Sequence, residues 1–253
     1  MRYIMDTNIW IDVSRSKIRC TDLLGKTGIS VAIAPPTLTE LVRDVIKSAG
    51  RYFPQDQKLF RCMSQPEIVI LELPQVFISK VLWNIPRGKS GVLPEHYTEL
   101  MRVFFEAKTF TEFLGETEQP ASVWKRMKEQ DSIHKQVLDK EFKALDNIAG
   151  RVSLRALPVY FAMLNKLGGL LPDPHTVEEK FSAAIEFLGS SIIQVRNGAN
   201  KRKNDPGMYV DWQLFWYLAD PSITVVSNED FSSQIRVSPQ AQRIMSYDAF
   251  ALL

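Results

Sequence analysis

Apolar positions recur at two periods along this chain, and the changes of period divide it into three stretches. Arg2–Met5 is a short, mostly apolar run that stops at Asp6, the pattern of a buried strand. Asn8 then stands where it can cap a helix that carries Trp10, Ile11 and Val13 and continues toward Leu23 and Leu24, with Gly25 and Gly28 closing it. Ile29–Ala34 (ISVAIA) reads as a second strand, rich in branched side chains. Pro35-Pro36 stops it, and Pro36 or Thr37 opens a helix with Leu38, Leu41, Val42, Val45 and Ile46 on one stripe. A β-α-β-α start of this kind predicts an α/β domain built on a mostly parallel sheet.

From about residue 51 to residue 200 the texture changes. Pro54, Pro66, Pro74, Pro86 and Pro94 cut the chain into short pieces, with one strand-like run at Ile68–Leu71. Helical patterns follow at Glu95–Leu114, Ser122–Leu145, Val152–Leu167 and Thr176–Leu188. After a polar loop at Asn197–Gly207, a helix at Met208–Ala219 and a buried-type strand at Ser222–Val226 restore the α/β texture. The expected organisation is a discontinuous core, residues 1–50 and 201–253, with a mostly helical insertion, residues 51–200, between its halves.

Composition narrows the class without choosing a function. The 253 residues are 45% hydrophobic and 24% charged, enough to bury a core and too apolar for a disordered chain. No apolar run reaches the length of about 18 residues that a membrane-spanning helix needs. Asp6 and Asp12 interrupt the N-terminus where a signal peptide requires an unbroken apolar stretch, so a cytoplasmic location is expected. Cys20 and Cys62 are too few for a disulfide framework or a zinc cluster, and two reduced, buried thiols are the expectation. The net charge of +2 is compatible with a nucleic-acid partner and does not argue for one.

The candidate chemistry lies in acidic side chains at element ends. Asp6 ends the first strand, Glu40 sits near the start of the helix after the second, and Asp211 lies near the start of the Met208–Ala219 helix. Glu229 and Asp230 follow the Ser222–Val226 strand. Open parallel sheets form their sites outside the carboxyl ends of the strands, where these elements would deliver all of them. Carboxylates gathered that closely repel one another and call for a cation. An all-oxygen set suits Mg²⁺ or Mn²⁺ rather than zinc. Such a metal can hold a scissile phosphate, generate hydroxide and neutralise the leaving oxygen.

The pattern resembles the PIN-domain ribonucleases, including the toxins of bacterial toxin–antitoxin pairs. Asp6-Thr7-Asn8 matches the family's strand-to-Asp-x-Asn motif, Glu40 in PPTLTELV its helical glutamate, and Asp211 in VDWQLFWYLA its later aspartate. VVSNEDF matches the closing turn, with Ser227 as its hydroxyl residue, Glu229 as its acid and Asp230 as the alternative acid. The likeness spans roughly residues 1–50 and 205–235. It implies a three-layer PIN-like fold and a Mg²⁺- or Mn²⁺-dependent endoribonuclease. Asp6, Glu40, Asp211 and Glu229 would be catalytic, and Asp6, Asp211 and Glu229 would hold the metal. RNA is the implied substrate ahead of DNA, and an inhibitory protein partner or a homodimer would fit the family. The other reading is a catalytically inactive PIN-like module that binds nucleic acid or protein.

Each feature also has a plainer reading. Glu40 and Asp211 can be favourable charges near helix N-termini. Asp205, ahead of Pro206-Gly207, suits a turn and is also close enough to serve as an auxiliary ligand. Asn8 and Ser227 can be caps and turn formers, orienters of the acids, or both. Lys201-Arg202-Lys203 is either a solvated loop or a phosphate contact beside the site.

Overall fold

The computed structural model describes residues 1–48, 50–83, 101–104, 106–115, 172–196, 206–231 and 234–253. Its centre is a five-stranded, all-parallel sheet in the order β3-β2-β1-β4-β5. The strands are β1 (Arg2–Met5), β2 (Ser30–Ile33), β3 (Ile68–Ile70), β4 (Ile223–Val226) and β5 (Ile244–Met245). The chain is therefore α/β, as its patterning predicts. β1 occupies the middle, pairing Arg2 with Ser30 of β2 on one side and with Ile223 of β4 on the other.

Helices cover both faces, and the two-residue period of the strands sends side chains to each. Tyr3 and Met5 of β1, with Val31 and Ile33 of β2, join a core with Ile9 and Trp10 of α1 (Thr7–Ser14). Leu38, Leu41, Val42 and Val45 of α3 (Pro35–Lys47) and Leu59 and Phe60 of α4 (Phe53–Met63) complete that layer. Ile4, Ala32, Ile223 and Val225 face the opposite core. There they meet Ile78 of α5 (Pro74–Trp83), Val177 of α7 (Pro174–Lys180), Phe187 of α8 (Ser182–Arg196) and Phe215 of α9 (Pro206–Trp216). A short helix α6 (Phe110–Gly115) places Phe113 against Phe104 and Phe53 in the first core.

Several elements differ from their expected form. The helix expected from Asn8 to Leu24 is two helices: α1 ends at Ser14, Ser16 turns the chain at φ 59°, and α2 (Cys20–Leu24) starts afresh. Ser14 and Ser16 favour turns over helix interiors, and Lys17 closes the turn by an ion pair to Asp12 at 2.8 Å. The cap of α1 is Asp6, not Asn8. The helical stretch expected at Thr176–Leu188 breaks at Phe181 into α7 and α8. The run at Ile68–Leu71 is β3 of the main sheet, and α4, α5, α7 and α8 pack on that sheet's cores. Residue 50 thus does not separate sheet from insertion. The expected helices at Ser122–Leu145 and Val152–Leu167 lie outside the described residues.

Cys20 and Cys62 form a disulfide with Cα atoms 5.8 Å apart, which corrects the expectation of reduced thiols. The two residues are 42 positions apart in sequence. Packing of α1 against α4, which spacing alone does not reveal, brings them together. The C-terminal helix α10 (Tyr247–Ala251) seats Phe250 edge-on against Tyr3, ring centroids 5.2 Å apart. Among the described residues, no helix is long and apolar enough to cross a membrane.

Candidate functional site

Asp6, Glu40 and Glu229 come near one another at the carboxyl end of β1. Asp6 follows Met5 directly, and its N–H donates to the carbonyl of Val226 at the end of β4, at 2.9 Å. This fixes the residue in the crevice between the two central strands, and its side chain is 1% exposed. Oδ1 accepts from the backbone N–H of Thr7 at 2.6 Å, which caps α1. Oδ2 accepts from the hydroxyl of Ser227 at 2.7 Å. Burial pushes the Asp6 carboxyl up to about 6 from its ordinary 3.8. The bonds from Ser227 and Thr7 oppose that rise, while the charges of Glu229 and Glu40 add to it.

Ser227 and Asn8 act as orienters. The Ser227 hydroxyl, while donating to Asp6, accepts the N–H of Glu229 at 3.0 Å. One buried hydroxyl therefore ties the end of β4 to both acids. Asn8, the second residue of α1, donates its side-chain N–H to Glu229 Oε1 at 2.7 Å. Glu229 is thus the acid of this turn that faces Asn8 and bears on Asp6. Glu229 and Asp230 also line a cleft of about 360 Å³ with Phe231, Ile244, Met245 and Ser246.

Glu40 lies in the second turn of α3, after β2, with its side chain 12% exposed. Thr7 donates its hydroxyl to Oε2 at 2.7 Å, and Arg43 pairs with Oε1 at 2.9 Å. Burial raises the Glu40 carboxyl above its ordinary value, and the contacts from Thr7 and Arg43 pull it back. Asp211 is half-buried in the second turn of α9, a helix that packs against α3. Asp205 and Lys201-Arg202-Lys203 lie outside the described residues.

Thr7 and Arg43 are missing from the sequence reading. Arg43 could have been found from its i,i+3 spacing to Glu40 on one helix face. Thr7 carried no signal beyond being the middle residue of Asp6-Thr7-Asn8.

The donor chemistry here is all carboxylate and hydroxyl, the set that suits a hard divalent cation. Three acids act electrostatically within one neighbourhood, since Glu229 and Glu40 both bear on Asp6. Yet among the described residues no group of three or more His, Cys, Asp or Glu side chains stands in an arrangement that could hold a metal ion. The fit is one of chemistry and electrostatics. No protein-family model, no curated protein and no solved structure matches this chain.

Proposed function

We propose that the chain is a divalent-metal-dependent nuclease of the PIN type that cuts RNA. The supporting observation is Asp6, a buried carboxylate at the end of the central strand, with the charges of Glu229 and Glu40 acting on it. Three acids at the carboxyl edge of a parallel sheet gain most from a bound cation. Asp6, Glu229 and Asp211 would hold Mg²⁺ or Mn²⁺, and Ser227 would keep Asp6 in place. The bound metal would supply hydroxide at neutral pH and stabilise charge on the leaving oxygen. The test is RNA cleavage by the purified chain in Mn²⁺. Cleavage that EDTA abolishes and Asp6→Asn removes, with the fold intact, is expected; cleavage surviving both defeats the proposal.

The second reading is a PIN-like module that binds nucleic acid or protein without cutting. It is favoured by the hydrogen bonds that already occupy Asp6, Glu40 and Glu229. Calorimetric titration separates the two, because this reading expects no Mn²⁺ uptake that depends on Asp6 or Asp211.

A further inference from the structure

Both oxygens of Glu40 have partners: the Thr7 hydroxyl holds Oε2 and the Arg43 guanidinium holds Oε1. The carboxylate is 12% exposed and the guanidinium 20%, so water screens this pair far less than it screens a surface ion pair. Thr7 also gives its backbone N–H to Asp6 Oδ1. Glu40 is therefore fastened on one side to the turn that carries Asp6 and on the other to its own helix. Glu229 is held differently. It is exposed, and its side chain accepts from Asn8, a neutral amide.

We infer that Glu40 is a positioning residue rather than a metal ligand, latched by Thr7 and Arg43 so that it fixes the start of α1 under Asp6. The inference rests on the metal-dependent reading above and confines its ligands to Asp6, Glu229 and Asp211. Joining a cation at Asp6 would cost Glu229 no more than its bond from a neutral amide. Recruiting Glu40 instead would break a largely buried ion pair and leave Arg43 only its longer contact with Asp44, at 3.7 Å, the more expensive step. Arg43 thereby sets which acids are available to the metal.

Titration of the full chain with Mn²⁺, read by calorimetry, tests the assignment. Glu40→Gln is expected to hold Mn²⁺ within about threefold of the wild type, whereas Asp6→Asn weakens it by about thirtyfold or more. Arg43→Gln frees Glu40 to join the metal and tightens binding about tenfold; Arg43→Gln combined with Glu40→Gln returns it to the wild-type value. Glu40→Gln weakening Mn²⁺ as much as Asp6→Asn does, or Arg43→Gln failing to tighten it, overturns the inference. Thermal melts in EDTA read the latch without metal. Thr7→Val and Glu40→Leu should lower Tm non-additively, because both remove the Thr7–Glu40 bond, and additive losses overturn the latch. A wild-type chain that takes up no Mn²⁺ overturns the metal-dependent function and the ligand assignment together, and the melts then decide the latch by themselves.

Discussion

Asp6 ionises at a cost. Its carboxyl is protonated more readily in the fold than in the unfolded chain, because burial outweighs the two hydrogen bonds it accepts. The penalty is absent well below the ordinary value of 3.8, grows as pH rises toward about 6 and is complete above that. A shift of this size corresponds to roughly 3 kcal/mol when the acid is fully ionised. Asp6→Asn removes the charge at nearly constant shape. In metal-free buffer it should raise stability by up to roughly 3 kcal/mol at pH 8 and by almost nothing near pH 2, as measured by denaturant melts across that range. A loss of stability at pH 8 would count against burial as the dominant influence on this residue. At this scale the sequence pointed to side chains that the fold brings together and was silent about how they are held. Asp6, Asn8, Ser227 and Glu229 all belong to one hydrogen-bonded set. That Asn8 orients an acid 221 positions away, rather than capping its own helix, depends on strand pairing that no local pattern contains.

Among the elements, the clearest consequence concerns α2 and α4, joined through Cys20 and Cys62. The bond closes a segment that includes β2 and all of α3, and with them Glu40. Restricting a loop of that length in the unfolded chain is worth at most about 4 kcal/mol in the chain-entropy view. Cys20→Ser with Cys62→Ser, or treatment with a dithiol reductant, should therefore lower stability by up to about 4 kcal/mol. The two should agree in denaturant melts, and an oxidised preparation should contain no free thiol by mass spectrometry. Two free thiols in protein prepared without reductant would refute the bond. β1 to β4 and α3 were legible in the sequence because the strands are mostly apolar runs and α3 carries a full helical stripe after Pro35-Pro36. The break of α1 at Ser14 and of the later helix at Phe181 were not, since both lie inside stretches whose apolar spacing continues across the break. β5 and α10 gave no usable period because they span only two and five residues.

At the level of the whole molecule, the sheet draws on three separated parts of the chain. β3 comes from the stretch expected to be an insertion, and α4, α5, α7 and α8 from that stretch cover the sheet. Replacing residues 51–200 by a short linker should consequently give an unfolded product, visible as lost cooperativity in a thermal melt. A cooperative transition near the parent Tm would show that the two ends suffice. The α/β class was readable because both ends of the chain carry strand and helix periods. The extent of the core was not, because a three-residue strand such as β3 looks the same in sequence whether it joins the main sheet or a separate lobe.

The central place of β1 has a consequence for how the molecule is made. β1 pairs with β2, which follows it closely, and with β4, which begins only at Ile223. As a ribosome releases the chain, β1 can acquire β2 early but must wait with one edge open until β4 emerges. The Asp6 site forms only after that wait, since Ser227 and Glu229 arrive with the end of β4. Pairings so distant in sequence fold slowly, and the open edge meanwhile offers an aggregation surface. Chaperones that shield apolar strands would act on this protein chiefly in that interval.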